Sequence, residues 1–228
     1  MILGNGLISS GFNKFKNLYD DNNIVILGSG VSNSTLADED EYGRELNLIY
    51  RTINENKGCK FIYFSSILTN ISDRRYYKHK KTIENLIISE TYDYIIFRIP
   101  QVVGNIGNKS NLFNFIVNAL NSDEEIMVYN GIDRSILDID DLVGIVNYCI
   151  NRVSRDTIHI SGVEKISIGD LVKKIANHMH KTPNITFADN TTLNNWGQTN
   201  SEIVDEAINY LHIDKFGYTD NIIKKYIK

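Results

Sequence analysis

An α/β fold, a parallel sheet covered by helices on both faces, is what this sequence predicts, and three observations predict it. Short apolar runs rich in β-branched and aromatic residues alternate with helical segments through the first half of the chain. A glycine-bearing turn, Gly4-Asn5-Gly6, falls between the first such run and the first helical segment. The composition, 42% hydrophobic and 23% charged over 228 residues, is that of a folded chain with room for one large domain or one domain and a small lobe.

The elements follow in order. Strands are expected at residues 1–3, 23–27, 60–64 and 94–98, each a short run with the composition of a buried strand. Helices fit residues 7–18, 39–55 and 76–90 between and after them. Residues 112–120 read as a helix and 126–129 as a short strand. Another helix begins at Ile139, where Asp138, Asp140 and Asp141 suit a positive N-terminal end. His159 and Ile160 end a further strand. The tail carries two helical patterns, 167–180 and 201–211, with Pro183 where the first should stop. This divides the chain into a sheet domain over 1–160, with an insertion near 105–135, and a small helical lobe over 161–228.

Charge and composition narrow the partners. A net charge of −4, with only residues 74–81 locally basic, argues against nucleic acid, whose phosphates need a basic face. No apolar run approaches bilayer length and none reads as a signal peptide, so no membrane partner is expected. Cys59 and Cys149 are not in metal-like spacing, and His178 and His180 are not one helical turn apart. No metal site is expected, and a reduced, cytoplasmic setting fits.

The glycine turn carries the first chemistry. Glycine at a strand-to-helix junction lets the backbone approach a pyrophosphate, which the helix N-terminus then stabilises. Gly4, Asn5, Gly6, Leu7 and Ile8 are therefore candidate contacts for a dinucleotide. Ser9 stands where a third glycine is usual.

The second chemistry is a serine, a tyrosine and a lysine. The strand Phe61-Ile62-Tyr63-Phe64 ends in Ser65-Ser66, and Tyr76-Tyr77-Lys78-His79-Lys80-Lys81 follows. Tyrosine and lysine four residues apart share a helix face. An ammonium beside a phenol favours the phenolate, so that tyrosine can exchange a proton with a hydroxyl or carbonyl. Spacing alone leaves Tyr76/Lys80 and Tyr77/Lys81 open.

These residues resemble the extended short-chain dehydrogenase/reductase family of nucleotide-sugar epimerases, dehydratases and ketoreductases. The resemblance implies a Rossmann-like doubly wound sheet, abbreviated, with a small C-terminal substrate lobe. A glutamate four residues after the lysine is frequent in that family, so Glu84 selects Tyr76 and Lys80, and Ser66 takes the substrate-oxygen role. Gly28-Ser29-Gly30-Val31-Ser32-Asn33-Ser34 is similar to the family loop beside the cofactor. It implies cofactor contacts at Gly28, Ser29 and Gly30, and substrate contacts at Ser32 and Asn33. Arg98-Ile99-Pro100-Gln101-Val102-Val103-Gly104 is similar to the segment next to nicotinamide and substrate. That implies cofactor contacts at Ser65, Pro100, Val102 and Val103, and a substrate contact at Gln101. The segment from Arg134 to Val143 is similar to the strand that re-enters the fold, with Arg134 toward substrate. NADP or NAD, a nucleotide-sugar substrate and a homodimer built partly on the Tyr-x-x-x-Lys helix are implied in the same way.

The chain departs from that pattern in three places. The segment Asp20-Asp21-Asn22-Asn23 leads directly into a strand that matches the fourth of the family, so the second and third strands are missing. Asp20 or Asp21 is then the only nearby acid for an adenine ribose. Ser66 and Tyr76 are only ten residues apart, which predicts an open substrate pocket. Ile67-Leu68 stands where family dehydratases carry an Asp-Glu pair, which argues against sugar 4,6-dehydration. Reduction of a 4-keto sugar is favoured over epimerisation by the same residues. The reading from another class is a non-catalytic scaffold that kept the fold.

Overall fold

The computed structural model describes residues 1–31, 33–34, 38–105, 111–189 and 199–228; Ser32 and the Asp21 side chain, both singled out above, lie outside the described residues. In chain order it begins with β1 (Ile2–Leu3), α1 (Leu7–Phe12), a 3-10 turn (Asn13–Phe15), α2 (Lys16–Asp21) and β2 (Ile24–Leu27). There follow α3 (Glu39–Glu55), β3 (Lys60–Ser66), α4 (Arg75–Glu90) and β4 (Asp93–Ile99). The next segment holds β5 (Gln101–Val103), α5 (Leu112–Asn121), β6 (Ile126–Tyr129), β7 (Asp133–Arg134), β8 (Ile136–Asp138) and α6 (Ile139–Ile150). The remainder is β9 (Asp156–His159), β10 (Ile166–Ser167), α7 (Ile168–His178), β11 (Ile185–Ala188), α8 (Glu202–Tyr210) and α9 (Tyr218–Tyr226).

Five strands form a parallel sheet in the order β1-β2-β3-β4-β9. Buried on both faces, its inner strands are continuous apolar runs, and their side chains alternate between two cores. Ile24, Ile26, Ile62 and Ile95 meet Phe12 and Tyr19 of the first helices and Leu142 and Val146 of α6. Val25, Leu27, Phe61 and Ile96 meet Ile49 and Ile53 of α3 and Ile83 and Ile87 of α4. The sheet is thus Rossmann-like and doubly wound.

This arrangement records the missing strands. The steps from β1 to β2 and from β2 to β3 run the same way across the sheet, yet their helices lie on opposite faces, so the two crossovers have opposite hands. Parallel crossovers are right-handed in about 98% of cases. In the full strand order 3-2-1-4-5-6, the first helix leads back toward strand 2, away from strand 4. With strands 2 and 3 absent, that helix keeps its face while the chain enters the strand on the other side. β1 becomes an edge strand of two residues.

The helix expected at 7–18 is broken by the 3-10 turn, because its halves serve different neighbours. α1 packs on α6, so closely that a Cβ at Gly11 would lie 2.7 Å from Ile139, while α2 packs on β2. The tail holds a third helix, α9, that the sequence reading did not find. The insertion and the tail are stitched together, β6 pairing with β11 and β7 with β10. Val204 of α8 and Ile222 of α9 join the same core as α6. Among the described residues no helix is long and apolar enough to cross a membrane.

At the first strand-to-helix turn Ser9 does the work of packing. Its buried hydroxyl donates to the Leu3 carbonyl at 2.9 Å and fills the space between Gly4 and Gly28. A Cβ would lie 2.6 Å from that oxygen at Gly4 and 2.4 Å from it at Gly28. Gly4 also has φ +106, where side chains are strained. Gly28→Ala is expected to lower stability by about 1–3 kcal/mol, and Ser9→Ala in the same chain to recover part of the loss. Urea unfolding of the two single variants and the double variant measures this coupling.

Candidate active site

At the C-terminal ends of β1 to β4, where open α/β sheets bind ligands, lies a cleft of about 590 Å³. One wall is the glycine turn. Gly6 begins α1 with no side chain capping the helix, and a Cβ there would meet nothing within 4 Å. Gly6, Leu7 and Ile8 border the cleft. Beside it runs the loop Gly28-Ser29-Gly30-Val31 from the end of β2.

The opposite wall is the end of β3 and the start of α4. Ser66 accepts a hydrogen bond from the Leu68 amide at 3.2 Å; Ser65 lies 3.0 Å from the Thr69 hydroxyl. Tyr76 and Tyr77 both border the cleft, their rings edge to face with centroids 5.1 Å apart. Lys80 is buried, its Nζ 5.6 Å from the Tyr76 ring centroid and 5.3 Å from that of Tyr63. Lys81, one residue on, turns away to Glu84 at 3.1 Å. Of the two equally spaced pairs, only Tyr76/Lys80 brings both members to the cleft.

Electrostatics hold this wall in place. Glu84, fully buried, accepts two hydrogen bonds from Arg98, Nε at 2.9 Å and Nη2 at 2.6 Å. Burial pushes its pKa up, but Arg98 and then Ser65 and Lys81 bring it below the usual carboxylate range. Glu45 of α3 is a second buried carboxylate. It accepts from Lys80 Nζ at 3.0 Å and from the Val31 amide at 2.9 Å, with His79 Nε2 at 3.1 Å. Burial opposes its ionisation, yet Lys80, His79 and the Val31 amide prevail and hold it at about 2. His79 is buried, its ring 4.7 Å from that of Tyr42 and tilted to it, and tied to this carboxylate.

The expected lowering of the tyrosine pKa is corrected. Burial raises Tyr76 above the ordinary phenol value and outweighs the opposing pull of Lys80. Tyr77 is raised as well, chiefly by burial.

Most residues singled out from the sequence meet at this cleft: Asn5, Gly6, Leu7, Ile8, Gly28, Ser29, Gly30, Ser65, Ser66, Tyr76, Lys80, Pro100, Gln101, Val102 and Arg134. Three do not border it. Gly4 sits behind the turn against Ser9; Val103 is core, 2% exposed in β5; Asn33 is outside the lining. Asp20 is also away from the cleft, bound to Lys16, which lowers its pKa to about 2. Sequence reasoning missed Glu45, Tyr63, Ser161 and Lys165. Tyr77 was legible as the second tyrosine of the pair; Glu45 left one trace, the bare Gly30 that it packs against.

No protein-family model matches the chain, and no curated protein matches it by sequence. Solved structures do share its fold. A UDP-glucuronic acid 4-epimerase from Bacillus cereus, in complex with UDP-glucuronic acid and NAD, superposes with a TM-score of 0.69 and 18% identity over 94% of this chain and 77% of that one. A dTDP-glucose 4,6-dehydratase from Bacillus anthracis, in complex with NAD, gives 0.66 and 9% identity over 97% and 78%. RMD from Pseudomonas aeruginosa, complexed with NADPH, gives 0.65 and 14% identity over 97% and 86%. The likeness is one of fold.

Both buried carboxylates have folded pKa values below their unfolded ones. The stability they contribute is fully present above about pH 5 and is lost as pH falls through roughly 4.5 toward 2. Arg98→Met, which leaves the buried Glu84 with Lys81 as its remaining cationic partner, is expected to cost about 3 kcal/mol at neutral pH and to lose less on acidification. Urea midpoints of both proteins across that range test the two statements.

Proposed function

We propose that this chain is an NAD(P)-dependent oxidoreductase that acts on a nucleotide-linked sugar and reduces its 4-keto group. The observation that carries the reading is the convergence of Ser66, Tyr76 and Lys80 on the cleft that the glycine turn borders. The residues present fit a dinucleotide. The α1 N-terminus has no side chain competing for its amides, and Gly28 and Gly30 put no side chain into the loop beside it. Gly6, Leu7 and Ile8 would hold the pyrophosphate, with Pro100 and Val102 toward the nicotinamide and Lys80 toward its ribose. When bound in reduced form, the dinucleotide supplies the hydride for the carbonyl carbon.

The chain's own residues supply the rest. Ser66, whose hydroxyl proton has no acceptor among the described residues, donates to the carbonyl oxygen and polarises it. Tyr76, protonated at neutral pH like any phenol and held further so by burial, gives that oxygen a proton. The alcohol forms, and Tyr76 is left as tyrosinate beside the Lys80 ammonium until it regains a proton from water. Gln101 and Arg134, farther along the cleft, would meet the sugar and its phosphates. The proposal includes a homodimer, with Ile88 of α4 and Tyr50 of α3 as exposed apolar residues on the helices involved. An epimerase would use the same residues, and would keep its dinucleotide through purification.

With a reduced dinucleotide and a 4-keto nucleotide sugar, the chain is expected to consume both, read as the loss of nicotinamide absorbance. Tyr76→Phe should lower kcat by about 10²–10⁴-fold while leaving dinucleotide affinity near its original value. Undiminished turnover in Tyr76→Phe would refute the assignment.

A further inference from the structure

Resting on the reading of Tyr76 as proton donor, we propose that Glu45 is a positioning residue that keeps the Tyr76 phenol protonated, and so poises the cleft for carbonyl reduction rather than for an oxidation begun by a tyrosinate base. Glu45 is not itself in the cleft lining; it touches Val31 and Lys80, which are. Its carboxylate, 2% exposed, stands behind Lys80. Lys80 Nζ donates to Oε1 at 3.0 Å, and the Val31 amide donates to Oε2 at 2.9 Å. His79 Nε2 lies 3.1 Å from Oε2. The carboxylate reaches this position because residue 30 is glycine, where a Cβ would lie 2.3 Å from Oε1.

The electrostatic consequence follows from that order of charges. An ammonium alone beside a phenol draws off its proton. A carboxylate in contact with the ammonium cancels much of that field, the more so where water is excluded. The groups that face Tyr76 are Lys80 and Tyr77 of its own helix, Glu45 and Tyr42 of α3, and Tyr63 of β3. Those that face Glu45 are His79 and Lys80 of α4, Tyr42 beside His79, and Tyr63. Burial does most to raise Tyr76, and Glu45 acts in the same direction against Lys80.

In the reductive direction the carbonyl carbon takes the hydride of a reduced nicotinamide dinucleotide, and the carbonyl oxygen takes the phenol proton. The products are the alcohol, the oxidised dinucleotide and a tyrosinate that recovers its proton from water. An oxidation must begin from that tyrosinate, the state that Glu45 disfavours.

The test needs neither dinucleotide nor sugar. Tyrosinate absorbance is titrated for the chain and for Tyr76→Phe, and the difference isolates Tyr76 from the other tyrosines. The same pair is then made in a Glu45→Gln background, with circular dichroism to verify the fold. The midpoint of Tyr76 ionisation is expected to fall by about one pH unit or more in Glu45→Gln. An unchanged or higher midpoint overturns the proposal. Should Glu45→Gln not fold, Glu45→Asp, which withdraws the charge by one methylene, is expected to show a smaller fall, and its absence is equally decisive. A chain that fails to bind dinucleotide would refute the proposed function while leaving this titration readable, and an unshifted titration would leave that function standing.

Discussion

Three parts of the cleft are fastened to one carboxylate. Through Glu45, the loop after β2, the lysine of α4 and the body of α3 become a single unit: the Val31 amide, Lys80 and His79 all converge on its two oxygens. Such a carboxylate is costly to bury unless every lone pair is used, and here the partners come from elements 14 to 35 residues apart in sequence. Loss of any one partner leaves the others facing an imperfectly compensated charge. The position of Lys80 is therefore a consequence of the packing of α3 on α4, and the Gly28–Val31 loop is shaped by the same interaction. Glu84 and Arg98 repeat the device one turn further along α4, fixing that helix to β4.

The second constraint is the shortened sheet. With β1 an edge strand of two residues, the wall on which a longer sheet would carry an adenine ribose is not built from strands here. Asp20, at the end of α2, does not replace it, since it is engaged by Lys16. In the proposed function, the grip on a dinucleotide comes from the pyrophosphate and nicotinamide ends, assigned to Gly6, Ser29, Pro100 and Val102 of the cleft lining. A grip of that kind suits a cofactor that enters and leaves at each turnover. The ten-residue connection from Ser66 to Tyr76 keeps the second wall short as well, and Tyr77 stands in the space beside it.

Much of this was legible in the residues. The strands at Ile24, Phe61 and Tyr94 announced themselves because buried parallel strands are unbroken apolar runs. The pairing of Tyr76 with Lys80 was legible from helical spacing together with Glu84. The short strands β5, β10 and β11 were not, because two to four residues carry no periodicity and are held by partners distant in sequence. The role of Glu45 was hidden for a related reason: an acid inside an amphipathic helix looks solvated until α4 packs over it. The raised pKa of Tyr76 was missed because spacing reveals the neighbouring lysine but neither the depth of burial nor the carboxylate behind the lysine.

The central claim is that the glycine turn and the Ser66, Tyr76 and Lys80 wall form one dinucleotide cleft despite the missing strands. Calorimetric titration of the purified chain with NADH and with NADPH tests it most directly. Saturable binding of at least one, abolished when Gly6 is replaced by a residue bulky enough to cover the α1 N-terminus, is the result this account predicts. No binding of either, reduced or oxidised, even with candidate nucleotide sugars present, would contradict it and leave a scaffold that kept the fold without the chemistry.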